Sequence, residues 1–359
     1  MTQATERVNC AVIGYGVFHD FGRMHCRWID AADGLQLAGI CDVEPAARER
    51  AAGEFPQVGL YASVDELVAD DDIDMVSIVT PHFTHADITC RCLEAGKHVV
   101  CEKAMATNVT EATRMVDTAR ATGRKLAVFH NRRHDGNYRA IEQTVRSGMI
   151  GELFHVECCE ESFARPRNWW YTEQARGGGV FFYWGPHAVD WVLNLVGSPV
   201  VRVAGQTQHR VWDHVDIADE VRAHLWFESG ATALITFSWV SAIPKPLWRI
   251  LGTRGGIEDS KLGNKSGAYI TGYQEVLVGA AGQGQIRVVS VDGDERTEQM
   301  IDYLESDWLT YYRDMAAAIL RDKPLPVTGE EGRMTVAVMQ AAQESGDAGG
   351  QIMEMSRYV

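Results

Sequence analysis

The sequence lacks several patterns that mark common kinds of site. Its eight cysteines form no Cys-x-x-Cys pair, the spacing found in many zinc sites and redox dithiols. It has no run of about 18 apolar residues, which a membrane-spanning helix would need. Basic residues number 34 against 49 acidic ones, and the resulting formal charge of −15 is unfavourable for binding a phosphate backbone. We therefore expect no metal site, no contact with a membrane and no nucleic-acid partner.

The first ten residues, MTQATERVNC, also lack the basic and then apolar pattern of a secretory signal. Because the cysteines show no disulfide framework either, we expect a cytoplasmic protein. The composition, with 46% hydrophobic and 23% charged residues, is that of an ordinary globular chain. A length of 359 residues corresponds to two domains at about 150 residues each.

The two predicted domains differ in the pattern of their elements. Between Val8 and Val128, continuous apolar runs alternate with helix-like stretches, which predicts a doubly wound parallel sheet in residues 1–129. From about residue 130, segments rich in β-branched and aromatic residues are separated by short turns. They predict an α/β domain with a mostly antiparallel sheet in residues 130–329. Whether the last helices, from about 330 to 359, fold back on the first domain stays open.

The first predicted strand ends in a glycine-rich turn. Such a turn lets the backbone approach a pyrophosphate at the N-terminus of the next helix. The third glycine of a regular G-x-G-x-x-G comes three residues late, at Gly22, and a tight structural turn would leave the same pattern. The residues expected to bind a dinucleotide here are Gly14, Tyr15, Gly16, Val17 and Phe18.

Asp42 closes the second predicted strand, 20 residues beyond Gly22. An acid at this place accepts hydrogen bonds from the adenosine ribose and repels a 2′-phosphate. The next residues, Val43 and Glu44, supply no cation for such a phosphate. The pattern therefore favours NAD over NADP, with Asp42 and Val43 in the cofactor pocket. In the alternative interpretation, Asp42 caps the following helix.

Residues 80–106, TPHFTHADITCRCLEAGKHVVCEKAMA, resemble the signature of the Gfo/Idh/MocA oxidoreductase family, T-P-x-x-x-H followed by A-G-K-H-V-x-x-E-K-P. The likeness extends along essentially the whole chain. The further matching segments are Gly22-Arg23-Met24-His25, Asn131-Arg132-Arg133, Gly178-Gly179, His187-Ala188-Val189-Asp190 and Val327-Thr328-Gly329.

The resemblance implies a Rossmann domain followed by an α/β domain with an open, mostly antiparallel sheet, assembled as a homodimer or homotetramer. It also implies NAD as the cofactor and a carbohydrate as the substrate. Each implied cofactor residue follows a predicted parallel strand, where open α/β sheets bind their ligands. The residues implied in the NAD crevice are Thr80, Pro81, His82, His85, Glu102, Lys103 and Asn131.

Lys103 and His187 are the candidate acid/base groups. Removal of hydride from a sugar carbon requires that the hydroxyl proton leave as well. A lysine beside a nicotinamide cation has its charged form disfavoured, and histidine titrates near neutral pH. The alternatives are an ion pair of Lys103 with Glu102 and a structural role for a buried His187.

Two positions depart from the family pattern. Many members read G-G-x-x-x-D-x-G-x-H, whereas this chain has GGVFFYWGPH, with Tyr183 in place of the acid. Ala104 replaces the proline that follows the glutamate and lysine of the signature. A tyrosine hydroxyl both donates and accepts but is neutral near pH 7, so we include Tyr183 among the catalytic candidates.

Three functions fit these residues. The first is an NAD-dependent dehydrogenase of a sugar, sugar derivative or polyol. The second is a glycoside hydrolase that retains its NAD and works by oxidation, elimination and re-reduction, as some glycosidases that resemble this family do. The third is an inactive regulator that binds NAD and a sugar, although retention of Lys103 and His187 argues against it.

The segment ESFARPRNWWYTEQARGGG is the candidate substrate-binding loop. Aromatic faces stack on sugar rings, and arginines pair with carboxylate, sulfonate or phosphate oxygens, so an anionic sugar is expected. Alternatively, the tryptophans anchor a surface loop or an oligomer interface. The candidate substrate residues are Arg165, Arg167, Trp169, Trp170, Tyr183 and His187.

Overall fold

The computed structural model describes residues 7–16, 21–259 and 284–359. In this part of the chain, the first domain contains a six-stranded parallel sheet. Its strands are β1 (Val8–Ile13), β2 (Leu35–Cys41), β3 (Gly59–Tyr61), β4 (Met75–Ile78), β5 (His98–Cys101) and β6 (Leu126–Val128). The spatial order β3-β2-β1-β4-β5-β6 confirms the predicted doubly wound sheet, and its switch point lies between β1 and β4.

Helices cover this sheet and bury its apolar strands. They are α1 (Phe21–Ala31), α2 (Pro45–Glu54), α3 (Val64–Val68), α4 (His82–Glu94) and α5 (Val109–Thr122). Local sequence sets their ends. Asn108 accepts a hydrogen bond from the N–H of Glu111 at the start of α5, and Gly123 ends that helix with φ 66°.

The second domain is built on a mixed sheet that has nine strands in the described residues. They are β7 (Leu153–Glu161), β8 (Val200–Gln208), β9 (Glu220–Phe227), β10 (Thr232–Ser238), β11 (Trp248–Gly252), β12 (Gly255–Asp259), β13 (Gln285–Asp292), β14 (Glu295–Asp302) and β15 (Met353–Glu354). The order is β14-β13-β12-β11-β7-β10-β9-β8-β15. Only β7 and β10 pair in parallel among these strands, which confirms the mostly antiparallel sheet.

The remaining helices are α6 (Gly136–Arg146), α7 (Gln174–Gly177), α8 (Phe181–Val196), α9 (Leu309–Arg321) and α10 (Gly329–Asp347). Helix α8 packs on β7 and β10, and α6 and α10 lie against it. Helix α8 begins at Phe181, shortly after the glycine-rich end of the candidate substrate-binding loop, and includes Pro186.

The chain returns to the first domain after the second sheet. Helix α9 falls in the range predicted for the second domain, yet it contacts α1 and β1, and the rings of Trp28 and Trp308 meet edge to face at 5.9 Å. Helix α10 contacts α5 and β6 on one side and α8 and β8 on the other. The two domains are therefore joined by the C-terminal helices as well as by the segment near residue 130.

No helix within the described residues is long and apolar enough to cross a bilayer. All eight cysteines are buried and free. Burial raises the pKa of thiols such as Cys41 and Cys92, each to about 12, so these cysteines pack as small apolar side chains.

Candidate functional site

The glycine turn after β1 leaves no room for side chains. Gly14 and Gly16 have φ of 93° and 79°, which favour glycine. A Cβ on Gly14 would lie 2.2 Å from the carbonyl oxygen of Val79, and one on Gly22 would lie 2.0 Å from that of Gly14. Gly22 thus supplies the close packing of helix on strand that the third glycine of the motif provides. Val17 and Phe18 lie outside the described residues, whereas Tyr15 is buried beside the turn.

Asp42 lies against this turn at the end of β2. The N–H of Gly16 donates to its Oδ2 and the N–H of Glu44 to its Oδ1, both at 2.9 Å. Glu44, not Asp42, is the residue that precedes α2 as its cap. The carboxylate is nearly buried, and the neighbouring Val43 is exposed. The structure thus brings Asp42 to the glycine turn, as expected for an acid that reads the adenosine ribose.

Arg48 is a residue of this pocket that the sequence analysis missed. Its Nη1 donates to the carbonyl oxygens of Asp42 at 2.6 Å and Val43 at 3.0 Å. Its position one helical turn after Glu44 was the available signal, because residues four apart share one face of a helix. Although Val43 and Glu44 supply no cation, the guanidinium of Arg48 therefore lies at the end of β2.

The predicted crevice residues at the start of α4 bond mainly to backbone. Thr80 and Thr84 share a hydrogen bond between hydroxyls at 2.6 Å, and Pro81 caps the helix. The ring of His82 accepts from the N–H of Ala104 through Nε2 at 3.1 Å, so Nδ1 donates to the carbonyl of Gly177 at 3.1 Å. Burial lowers the pKa of His82 to about 3, which keeps this ring neutral.

His85 lies one turn further along α4. Its two ring nitrogens face the carbonyl oxygens of Ala104 at 2.8 Å and Thr80 at 2.7 Å. His82 and His85 together hold the segment after β5 against α4, and His82 also ties it to α7. The peptide bond between Lys103 and Ala104 is cis.

Lys103 reaches from the first domain to the second. Its Nζ donates to the main-chain carbonyl of Tyr183 at 3.4 Å. Burial lowers the pKa of Lys103, the charge of Glu102 opposes that effect, and Arg132 reinforces it. Glu102 thus acts on Lys103 electrostatically, but the two side chains do not form the ion pair considered as an alternative, and the ammonium bonds to α8.

Glu102 turns away from the crevice. Its Oε1 lies 3.0 Å from Nε2 of His25, and the N–H of Lys103 donates to its Oε2 at 2.8 Å. The carboxylate is 6% exposed. Both carboxylate oxygens therefore bond to groups of the protein itself.

Three unpartnered nitrogens belong to the segment after β6 and to α8, which the contact between His130 and His187 brings together. Nδ1 of His130, Nδ2 of Asn131 and Nδ1 of His187 are buried and have no hydrogen-bond partner among the described residues. The rings of His130 and His187 are 6.0 Å apart, and burial lowers the pKa of His187 well below its usual value. Buried polar groups are normally hydrogen-bonded, so these three atoms fit a site that a bound molecule completes.

The residue types of the predicted dinucleotide site fit that group. Gly14 and Gly16 have the positive φ angles of a close backbone turn, Asp42 lies beside Gly16, and Asn131 has a buried amide nitrogen without a partner among the described residues. These residues come from the ends of β1, β2 and β6, along one edge of the parallel sheet.

Tyr183 lies one helical turn before His187 on α8, so both side chains share a face. The Tyr183 ring stacks on Tyr171 at 4.8 Å and 25° and meets Trp239 at 5.7 Å. Trp170 packs edge to face on His82 at 4.7 Å. Tyr171, which was not among the predicted site residues, thus forms the centre of an aromatic cluster beside the crevice.

The candidate arginines of the loop are exposed. Nε of Arg165 faces Nε2 of His214 at 3.5 Å. Arg167 lies near Tyr171, since its charge opposes the rise in the pKa of that phenol on burial. The structure brings Trp169 and Trp170 together with Tyr171, but neither arginine contacts Lys103 or His187 within the described residues.

The basic residues that follow Asn131 are paired internally. Arg133 donates to both carboxylate oxygens of Asp190, at 2.8 and 2.6 Å, and pairs with Glu331 at 2.9 Å. Arg132 pairs with Asp135 at 3.0 Å. Among the described residues, no group of three or more His, Cys, Asp and Glu side chains is arranged to hold a metal.

Two family models match the chain. The model described as an oxidoreductase family with an NAD-binding Rossmann fold matches residues 8–130, and the model described as the GFO/IDH/MocA C-terminal domain matches residues 138–258. A structure of an oxidoreductase from Bacillus subtilis superposes with a TM-score of 0.85 and 23% identity, covering 98% of this chain and 99% of that one. That likeness shows a shared fold.

Two of the relatives with stated activities are dehydrogenases of a polyol and of a glucoside. The chain is 25% identical over 347 residues to scyllo-inositol 2-dehydrogenase (NADP(+)) of Bacillus subtilis, which covers 95% of this chain and 94% of that protein. It is 27% identical over 204 residues to D-glucoside 3-dehydrogenase of Escherichia coli, covering 56% of this chain and 57% of that protein.

Proposed function

Because this chain belongs to the Gfo/Idh/MocA oxidoreductase family, we propose that it is an NAD-dependent dehydrogenase of a hydroxyl group on a sugar, sugar derivative or polyol. The main support for this proposal is the contact between Lys103 and helix α8. The lysine Nζ bonds to the carbonyl of Tyr183, one helical turn before His187, so both acid/base candidates border one crevice.

A bound nicotinamide dinucleotide supplies the hydride acceptor. The chain's own part is to orient the substrate and to receive the hydroxyl proton. Burial lowers the pKa of Lys103 and of His187, so each has a neutral form available to accept a proton. We assign the proton to Nζ of Lys103 and propose that His187 and the phenol of Tyr183 orient the reacting hydroxyl.

We propose NAD as the preferred cofactor on the strength of Asp42, whose carboxylate lies at the glycine turn. Arg48 works in the other direction, since an arginine at the adenosine ribose attracts a 2′-phosphate. The named polyol relative uses NADP(+). The balance between Asp42 and Arg48 thus sets the preference in this chain.

For the substrate, we propose a carbohydrate that packs on the aromatic cluster of Trp170, Tyr171, Tyr183 and Trp239. Sugar rings present apolar faces to such side chains. An anionic substituent would extend toward the exposed Arg165 and Arg167.

We also propose a homodimer or homotetramer in the cytoplasm. Free cysteines suit a reducing compartment. The exposed apolar side chains of Phe154 and Met300 lie on strands of the second sheet and support a subunit interface on that sheet.

The second candidate is a glycoside hydrolase that retains its NAD. It is favoured by the likeness to a D-glucoside dehydrogenase, since oxidation of a glycoside hydroxyl is the first step of that mechanism. The ketone acidifies the neighbouring C–H bond, whose proton is removed as the glycosidic bond breaks. Addition of water and re-reduction then return the cofactor to its starting state.

One experiment separates these functions. The protein is incubated with NAD and with free polyols or sugars, and in parallel with neutral and anionic nitrophenyl glycosides, while NADH and nitrophenol are both monitored. We expect NADH to accumulate with the free substrates. Release of nitrophenol with no net NADH would instead establish the hydrolase. The Tyr183→Phe variant in the same assay shows whether the phenol contributes, since near-normal turnover would leave the chemistry to Lys103 and His187.

A further inference from the structure

A buried chain of hydrogen bonds reaches Glu102 from the far side of the sheet. The hydroxyls of Ser77 on β4 and Tyr312 on α9 are 2.9 Å apart. The Tyr312 hydroxyl is 2.5 Å from Nδ1 of His25 on α1, and Nε2 of His25 is 3.0 Å from Oε1 of Glu102. Ser77, Tyr312 and His25 have no exposed surface. These hydrogen bonds thus link β4, α9 and α1 to Glu102, the residue before Lys103.

The chemistry of the groups fixes the direction of these bonds. An ionised carboxylate only accepts hydrogen bonds, so Nε2 of His25 donates to Glu102. In the neutral ring, Nδ1 then accepts from the hydroxyl of Tyr312. That hydroxyl oxygen can in turn accept from Ser77. Every polar hydrogen along the chain has an acceptor, and the chain ends on the Glu102 carboxylate.

Glu102 stands between this chain and Lys103. Burial alone would raise the pKa of the carboxyl, but His25 and Lys103 hold it below its ordinary value. The resulting negative charge favours the protonated form of Lys103. The other titratable or charged groups that face this pair are His82 and His85 on α4, Cys101 on β5, His130 and Arg132 after β6, His187 on α8, and Tyr311 on α9.

We propose that His25 and Tyr312 are positioning residues, which keep Glu102 ionised and thereby set the proton affinity of Lys103. This rests on the proposed function in one respect, that Lys103 receives the substrate proton. Neither residue touches the reacting atoms. Their effect passes through the charge of Glu102, and it makes α9, a helix of the C-terminal part of the chain, part of the catalytic apparatus.

The sign of the effect follows from the charges. Without the His25 donor, buried Glu102 takes up a proton at higher pH and loses its charge. Lys103 then lacks its anionic neighbour, so its pKa falls and its neutral form appears at lower pH. Because the neutral amine is the base in oxidation, the rising limb of kcat/KM against pH moves to lower pH, by roughly one unit for the loss of one nearby charge.

The test measures the titration of Lys103 in two ways. The first is the pH dependence of kcat/KM for polyol oxidation, and the second is the pH dependence of acetylation of Lys103 by acetic anhydride, followed by peptide mass spectrometry. We expect both midpoints to fall in His25→Leu and, to a smaller extent, in Tyr312→Phe. His25→Gln restores an N–H donor toward Glu102 and returns the midpoints toward the original value.

Tyr311→Phe is the matched control. Tyr311 neighbours Tyr312 on α9 and is equally buried. Its hydroxyl donates to the carbonyl of Val128 at 2.8 Å, so it is not part of the hydrogen bonds that lead to Glu102. It should lose stability without moving either midpoint. An unmoved acetylation midpoint in both His25→Leu and Tyr312→Phe would overturn the inference. Absence of turnover in the unmodified protein would refute the proposed function instead, and the acetylation midpoints would still decide the inference.

Discussion

At the scale of single residues, Asp42 and Arg48 place opposite charges at the end of β2. The Asp42 carboxylate already accepts two backbone N–H groups, which fixes its place beside the glycine turn. Arg48 is held by two carbonyl oxygens through Nη1 alone. A cation and an anion thus lie together beside the start of α2, and the proposed preference for NAD over NADP depends on the balance between them.

We expect Asp42→Ala to weaken NADH binding by about tenfold or more, because a hydrogen bond to a charged group contributes about 1.5–3 kcal/mol. The same variant should bind NADPH better relative to NADH, because the acid no longer repels the 2′-phosphate. Arg48→Ala should weaken NADPH more than NADH. Quenching of protein fluorescence on titration with each nucleotide measures both affinities.

Glu44→Ala provides the control for this pair. Glu44 is a neighbouring acid that contributes its backbone N–H to Asp42, and that group survives the substitution. An unchanged ratio of the two affinities in Asp42→Ala would remove Asp42 from the cofactor site.

The sequence predicted the place of these residues better than their contacts. Asp42, Lys103 and His187 were identified from spacing and resemblance, and the structure places Asp42 at the glycine turn and Lys103 against α8, the helix that carries His187. The partners of His82, His85 and Glu102 could not be predicted, because Gly177, Ala104 and His25 meet them only after distant segments have packed. The same holds for the aromatic cluster around Tyr171.

At the scale of elements, α10 docks on β8 through a glycine. A Cβ on Gly205 would lie 1.9 Å from the carbonyl oxygen of Ala342. The N–H of Gly205 also donates to Oγ of Ser345 at 2.8 Å. The helix therefore approaches the strand backbone too closely for any side chain at this position.

We expect Gly205→Ala to lower the free energy of unfolding by about 1–3 kcal/mol, the usual cost of overpacking. The clash is with backbone atoms, which cannot move aside as a flexible side chain can. Gly53→Ala is the matched control: a Cβ there meets nothing within 4 Å, and alanine favours the helix α2 by up to about 1 kcal/mol. Urea unfolding of both variants measures the difference. A Gly205→Ala protein as stable as the original would show that α10 can shift without cost.

Helix α8 shows why the extent of an element was harder to predict than its existence. Pro186 lacks the N–H that a helix interior uses, and sequence alone therefore favours a later start. Tertiary packing outweighs that loss, because most of the helix is buried between the sheet and its neighbouring helices.

At the scale of the whole molecule, charge pairing joins the segment after β6 to helices α8 and α10. Arg133 follows β6, Asp190 lies on α8, and Glu331 lies on α10. The Asp190 carboxylate is almost fully buried, so the bidentate pair with Arg133 is shielded from solvent. This cluster thus holds α8 and α10 against the segment after β6 that carries His130 and Asn131.

We expect Asp190→Ala to lower the free energy of unfolding by about 3–5 kcal/mol, because it leaves the Arg133 charge without its buried partner. Affinity for the cofactor and substrate should fall as well, since the crevice loses its fixed width. Thermal unfolding and a titration with NADH check the two effects. Asp87→Ala, which breaks an exposed pair with Arg114, should change neither. If the two variants have the same stability and the same affinity for NADH, the segment after β6 is held to α8 and α10 by apolar packing alone.

The sequence by itself determined the two-domain α/β architecture, the glycine turn with Asp42, and the identity of Lys103 and His187 as acid/base candidates. The first two depend on local periodicity and on residues close together in the sequence, and the acid/base candidates on the resemblance of their segments to the family signature. Only the tertiary structure decided that α9 belongs against α1, and that Ser77, Tyr312 and His25 form one hydrogen-bond network ending at Glu102. Such contacts join residues up to 287 positions apart, and their geometry is set by the packing of whole elements, which no local pattern encodes.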